Sequence, residues 1–187
     1  DLHAGQIQGF FDIPLDHLFA VKIFCDHIKK LGLNGNLVVV SPDVGGIKTA
    51  RAYAKKLRCN LAIVDKRRID DTKAEVMHIM GDVKGKHALI VDDMVATAGS
   101  LVEAVAAIKR QGALNVYAAV THPVLCGPAI DRLRKCHLKE LIVSDTIPIG
   151  PEKRLKHIKV LSVASLLAEA IKRIHCEESI SVLFTSR

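Results

Sequence analysis

The chain has 187 residues, the length of one domain, with 49% hydrophobic and 25% charged residues, a balance that excludes a wholly disordered polypeptide. Its 27 Lys and Arg against 20 Asp and Glu give +7 at neutral pH, but aromatics are only 4% with no Trp. Single-stranded nucleic acid therefore lacks a stacking platform, and anionic metabolites suit the charge better. No apolar run approaches the ~20 residues that span a bilayer. The opening Asp1-Leu2-His3-Ala4-Gly5 carries no signal-peptide pattern, and its missing Met points to a partial or processed chain. Cys25, Cys59, Cys126, Cys136 and Cys176 form no CxxC pair, so reduced, mostly buried thiols and a cytoplasmic location are expected.

Beyond an opening segment, apolar runs alternate with helical patterns. Leu37-Val38-Val39-Val40 reads as a buried strand leading to Ser41-Pro42-Asp43-Val44-Gly45-Gly46, with Ile47, Ala50, Ala54 and Leu57 at helical spacing after it. Leu61-Ala62-Ile63-Val64 is a second strand, ending at Asp65-Lys66-Arg67-Arg68. The charged stretch from Lys66 to Lys73 is expected to be an exposed, mobile loop. Ala88-Leu89-Ile90-Val91 is a third strand, and Ser100 to Gln111 a helix stopped by Gly112. Val116 to Val120 is a fourth strand, Pro128 opens a short helix, Leu141-Ile142-Val143 is a fifth strand, and Ser165 to Ile174 a last amphipathic helix. Strands apolar on both faces that alternate with helices predict an α/β fold, a parallel sheet flanked by helices. Asp43, Lys66, Asp92, Asp93, His122 and Asp145 recur at the carboxyl ends of these strands, the edge where such sheets bind ligands. No internal repeat, low-complexity tract or long linker interrupts the pattern.

The third strand carries the most chemistry. It delivers Asp92 and Asp93 to its end, and the small residues Ala96, Thr97, Ala98, Gly99 and Ser100 then lead into a helix N-terminus. Small side chains let backbone N–H groups close around an anion, and the two hydroxyls add donors. Paired carboxylates beside a phosphate nest suit a sugar phosphate, whose vicinal hydroxyls the acids accept while the nest holds the 5′-phosphate. Any one of these elements alone is common; their order after a strand and before a helix is the signal.

This stretch resembles the ribose-phosphate signature of type I phosphoribosyltransferase folds. DLHAGQIQGFFDIP at residues 1–14, VSPDVGG at 40–46, DKRR at 65–68, AEVM at 74–77, GDV at 81–83, THPVLCGPA at 121–129, DTIP at 145–148 and ESISVLF at 178–184 narrow the resemblance further. Together they are similar to the ribose-phosphate pyrophosphokinases, also called phosphoribosyl pyrophosphate synthetases, and they span nearly the whole chain in the family's order.

The resemblance implies transfer of the β,γ-diphosphate of ATP to the C1 hydroxyl of ribose 5-phosphate, with Mg²⁺ as cofactor and AMP released. It implies His3 and Asp43 as magnesium ligands, with Asp1 close by, and Lys66 and Arg68 as catalytic cations on a loop that closes over the diphosphate. Asp92 and Asp93 would hold the ribose hydroxyls. Ala96, Thr97, Ala98, Gly99 and Ser100 would hold the 5′-phosphate, with Arg68 also on the substrate. Residues 121–129 and 145–148 resemble regions near subunit contacts and a regulatory phosphate site. Family members form dimers that build hexamers. They also carry an N-terminal α/β domain with most of the adenine-binding residues. Residues 1–20 therefore read as the segment leading in from such a domain, and 21–187 as a phosphoribosyltransferase-like C-terminal domain. The family's usual Asp is replaced by Ala96, Ile69-Asp70-Asp71 alters the continuation after the basic cluster, and Cys126 and Val182 are milder departures. A non-catalytic regulatory subunit that binds phosphorylated ligands, and a phosphoribosyltransferase that consumes the product, are the alternatives.

Overall fold

Val-rich runs are at home in a sheet covered on both faces, and the chain builds one. The computed structural model of the protein describes residues 1–33, 35–67 and 76–184. After a 3-10 turn at Gly5–Phe10, the elements in chain order are α1 (Val21–Lys30), β1 (Leu37–Ser41), α2 (Ile47–Leu57), β2 (Asn60–Arg67), β3 (Val76–Met80), β4 (His87–Val95) and α3 (Gly99–Arg110). Then follow β5 (Asn115–Pro123), α4 (Ala129–Lys135), β6 (Glu140–Ser144), β7 (Ile158–Leu161), α5 (Ala164–His175) and α6 (Ser181–Phe184). The strands form one sheet in the order β3-β2-β1-β4-β5-β6-β7. Neighbours are parallel except β2 and β3, which run antiparallel.

Successive residues of one strand serve opposite faces. Val38 and Val40 of β1 join Ile90 of β4 and Leu101, Val105 and Ile108 of α3 in one core. Val39 between them joins Leu89 and Val91 with Phe24 and Ile28 of α1 and Tyr53 of α2 in the other. The α1 helix places Val21, Phe24, Cys25 and Ile28 inward at the i, i+3, i+4, i+7 spacing of a core-facing stripe.

Several sequence expectations change. The sheet has seven strands among the described residues, where periodicity predicts five, and it is not wholly parallel. Both added strands lie at sheet edges, where one neighbour suffices and a long apolar run is unnecessary; β7 buries none of its four residues fully. Lys66 and Arg67 do not open a loop: they continue the backbone of β2, opposite Met77 and Val76 of β3. Arg68, with the rest of 68–75, lies outside the described residues. The thiols are all free but mostly not buried: only Cys25 is, Cys59 and Cys136 are half-buried, and Cys126 and Cys176 are exposed. Gly81, just past β3, has φ +109, and a Cβ there would sit 2.9 Å from both Cα and Cβ of Ala62, so no other residue fits. Among the described residues no helix is long and apolar enough to cross a membrane.

Candidate functional site

Strand order reverses direction between β1 and β4, the two central parallel neighbours, which makes their carboxyl ends the switch point of the sheet. Asp43 follows β1, and Asp92 and Asp93 lie near the end of β4, so the topology brings three carboxylates towards one crevice. Asp43 Oδ1 accepts the Gly46 N–H (2.8 Å), closing the turn that starts α2. Asp92 Oδ1 accepts the Asp93 N–H (2.9 Å). Burial pushes the Asp92 carboxyl up from the usual 3.8 to about 6, with the charges of Asp93 and Asp43 adding to the rise.

His3 reaches this crevice from the other end of the sequence. Its Nδ1 lies 3.0 Å from Asp93 Oδ2, although the imidazole itself is 70% exposed. What holds it there is Asp1. The Asp1 carboxylate accepts from the Ala20 N–H and the Thr121 hydroxyl, both at 2.9 Å. The Asp1 nitrogen donates to the Leu18 carbonyl, and His122 Nε2 contacts the Asp1 carbonyl oxygen. His122 Nδ1 in turn meets the Thr146 hydroxyl at 2.9 Å. Desolvation holds the His122 ring below its usual pKa, so at neutral pH it is uncharged and its Nε2–H is the donor to Asp1. The ends of β5 and β6 thus anchor the segment that carries His3.

The loop between β4 and α3 has the form of an anion nest. Ala98, the residue before α3, is left-handed (φ +59, ψ 11) and supplies no side-chain cap, so the first N–H groups of α3 are left for another acceptor. The Thr97 and Ser100 side chains are exposed beside it. Behind the loop, Leu125 N–H donates to the Val95 carbonyl, Cys126 N–H to Ala96, and Arg132 Nη1 to Thr97, each at 3.0 Å. A cavity of about 580 Å³ is lined by Asp1, Gln8, His17, Lys48, Arg51 and Tyr53 among others.

Of the residues singled out in sequence, Asp92, Asp93, His3 and the 96–100 loop meet at one edge. Asp43 acts on Asp92 through its charge, but no hydrogen bond or ion pair joins it to His3. No group of three or more His, Cys, Asp or Glu side chains gathers as a metal cluster among the described residues. Lys66 is described only as backbone of β2, and Arg68 not at all. The sequence pattern missed Arg132 and the support of the loop by residues 125–126; a helix residue thirty-odd positions away gives no local sign of such a contact.

Comparison with known proteins adds a lineage to this geometry. The family model of the phosphoribosyl synthetase-associated domain matches residues 68–185. Curated relatives named ribose-phosphate pyrophosphokinase include that of Chlorobaculum tepidum, 51% identical over 187 residues, the whole of this chain and 58% of that protein. That of Caldanaerobacter subterraneus is 53% identical over 185 residues, covering 99% of this chain and 58% of that protein. The chain therefore spans somewhat over half the length of these relatives. The crystal structure of phosphoribosylpyrophosphate synthetase from Mycobacterium smegmatis superposes with a TM-score of 0.87 at 40% identity, over 95% of this chain and 57% of that one. The APRTase of Giardia lamblia, at 19% identity and a TM-score of 0.53 over 66% of this chain and 75% of that one, shares the fold alone.

Proposed function

The chain belongs to the phosphoribosyl synthetase-associated domain family, and from that premise we propose that it is the ribose-phosphate-binding part of a ribose-phosphate pyrophosphokinase. The reaction is transfer of the β,γ-diphosphate of ATP to the C1 hydroxyl of ribose 5-phosphate, giving phosphoribosyl diphosphate and AMP. Asp92 and Asp93 accept hydrogen bonds from the ribose hydroxyls. The N–H groups of Thr97, Ala98, Gly99 and Ser100 hold the 5′-phosphate, and Ala96, which offers no carboxylate, leaves that hold to the backbone. Lys66 and Arg68 place positive charge on the diphosphate in transit, where neutralisation and alignment supply most of the rate.

The donor chemistry fits Mg²⁺ at His3 and Asp43. The His3 Nδ1 side is engaged by Asp93, which leaves Nε2 for a metal in the carboxylate–histidine–metal arrangement that fixes ring orientation. A site of few protein ligands suits an ion that keeps its waters and binds through substrate phosphates. When bound, the ion supplies charge neutralisation for phosphate oxygens.

In this reading residues 1–20 lead in from an N-terminal domain that carries most of the adenine contacts, and 21–187 are the C-terminal domain. The working protein is a cytoplasmic homo-oligomer, a dimer building to a hexamer. The junction at residues 92–100 carries the proposal: carboxylates at a switch point, followed at once by a nest with open N–H groups. Calorimetric titration of ribose 5-phosphate with Mg²⁺ into the wild-type chain and into Asp92→Asn tests it. Binding that the substitution weakens about tenfold is expected; no binding by folded wild-type protein overturns the reading.

A further inference from the structure

Three consecutive carbonyls where β4 passes into the loop before α3 are all engaged by one stretch of chain, residues 125–132. Those of Val95, Ala96 and Thr97 are each held at 3.0 Å by the segment behind the loop, through Leu125 N–H, Cys126 N–H and Arg132 Nη1. A peptide unit is planar and trans, so the carbonyl of one residue and the N–H of the next point in opposite directions. Holding those three carbonyls back therefore turns the N–H groups of Ala96, Thr97 and Ala98 forward. None of the described hydrogen bonds is donated by the N–H of Thr97 or Ala98.

Two of the three holds come from backbone amides, which only a proline substitution would remove. The third is a guanidinium. It acts at the most demanding position, because the peptide that Arg132 fixes precedes Ala98, a non-glycine residue in the left-handed region, which costs about 1 kcal/mol or more. The fit is close: a Cβ on Gly99 would stand 3.2 Å from Arg132 Nη1. Arg132 makes no ion pair among the described residues, so its charge stays beside the loop rather than being spent on a carboxylate.

We infer that Arg132 is a positioning residue for the phosphate nest: by holding the Thr97 carbonyl back it keeps the Ala98 N–H facing the 5′-phosphate. The inference deepens the reading of residues 97–100 as a sugar-phosphate site and rests on it for its ligand. It distinguishes Arg132 from the other cations of its short helix. Arg134 pairs with Asp131 at 3.0 Å, and none of the described hydrogen bonds or ion pairs joins it to the loop.

The test compares the 187-residue wild type with Arg132→Met and Arg132→Lys. Amide ¹⁵N–¹H spectra without ligand read the loop itself, and calorimetry with ribose 5-phosphate and with inorganic phosphate reads its use. Arg132→Met is expected to move the Ala98 and Gly99 amides and to weaken both ligands roughly fivefold to tenfold, about the net worth of one hydrogen bond. Arg132→Lys, which retains a charged donor, recovers part of both effects; a merely structural substitution would show no such recovery at one amide. If Arg132→Met unfolds, Arg132→Lys alone carries the comparison. Superimposable Ala98 and Gly99 amides, or unchanged affinity in a variant of a wild type that binds, overturn the inference. A wild type that binds neither ligand refutes the sugar-phosphate reading instead, while the amide positions still decide whether Arg132 holds the loop.

Discussion

Replacing Asp92 by Asn should make the ligand-free protein more stable at neutral pH and a poorer binder of sugar phosphate. Burial and the neighbouring carboxylates Asp93 and Asp43 raise its pKa from 3.8 to about 6. A carboxyl whose pKa is raised by folding favours the folded state fully only below its unfolded pKa, and that favour is lost as pH rises through the folded value. Above pH 6, then, the ionised Asp92 works against the fold. At 1.36 kcal/mol per pH unit the rise corresponds to ~3 kcal/mol, an upper bound for a half-buried group that solvent partly screens, so ~1–3 kcal/mol is the working range. Asn keeps an oxygen for the Asp93 N–H and carries no charge. At 2–4 °C per kcal/mol for a chain of this size, Asp92→Asn should melt several degrees above wild type at pH 8, and the gap should shrink towards pH 5. Thermal melts across that range read it directly. A variant that is less stable at pH 8, or a gap that does not change with pH, would refute the electrostatic account of the crevice.

Gly81→Ala should destabilise by about 2 kcal/mol or more, because it combines a positive φ with a Cβ against the backbone of Ala62 in the central part of β2; a urea midpoint unchanged from wild type would count against the packing described. With a thiol reagent at pH 8, Cys126 and Cys176 should react quickly and Cys25 only on unfolding, since Cys25 is buried and its pKa is pushed up to about 12; mass spectrometry of labelled peptides gives the order. Thr121→Val removes the hydroxyl held by the Asp1 carboxylate at 2.9 Å and should cost ~1–2 kcal/mol and loosen His3, seen as a change in the His3 ring resonances.

What could be read from the sequence was whatever is written locally. Central strands announce themselves because both faces need apolar residues, as in Val38-Val39-Val40, and the switch from β4 to α3 is written in the small residues after Asp93. The edge strands β3 and β7 carry no such signature, since an edge needs only one partner and tolerates Lys159 and His78 in line. The stripe of Val21, Phe24, Cys25 and Ile28 has the spacing of a helix but stands inside a segment that composition marks only as an opening. Tertiary contacts stayed hidden altogether: nothing near Arg132 says that it reaches Thr97, and nothing in Asp1 says that Thr121 holds it. The basic cluster misled because charge suggests solvent, whereas pairing with β3 carries the β2 backbone through Lys66 and Arg67. Free, half-exposed thiols at Cys59 and Cys136 likewise follow from where the helices end, which spacing does not tell.

In the proposed function a sugar phosphate binds where β4 hands over to α3. Mapping amide shifts of the ¹⁵N-labelled chain on titration with ribose 5-phosphate and Mg²⁺ tests it most directly. Saturable shifts centred on residues 92–100 are expected, with Cys126 and His3 responding next. Shifts centred instead on the cavity lined by Lys48, Arg51 and Tyr53, or none at all, would contradict it.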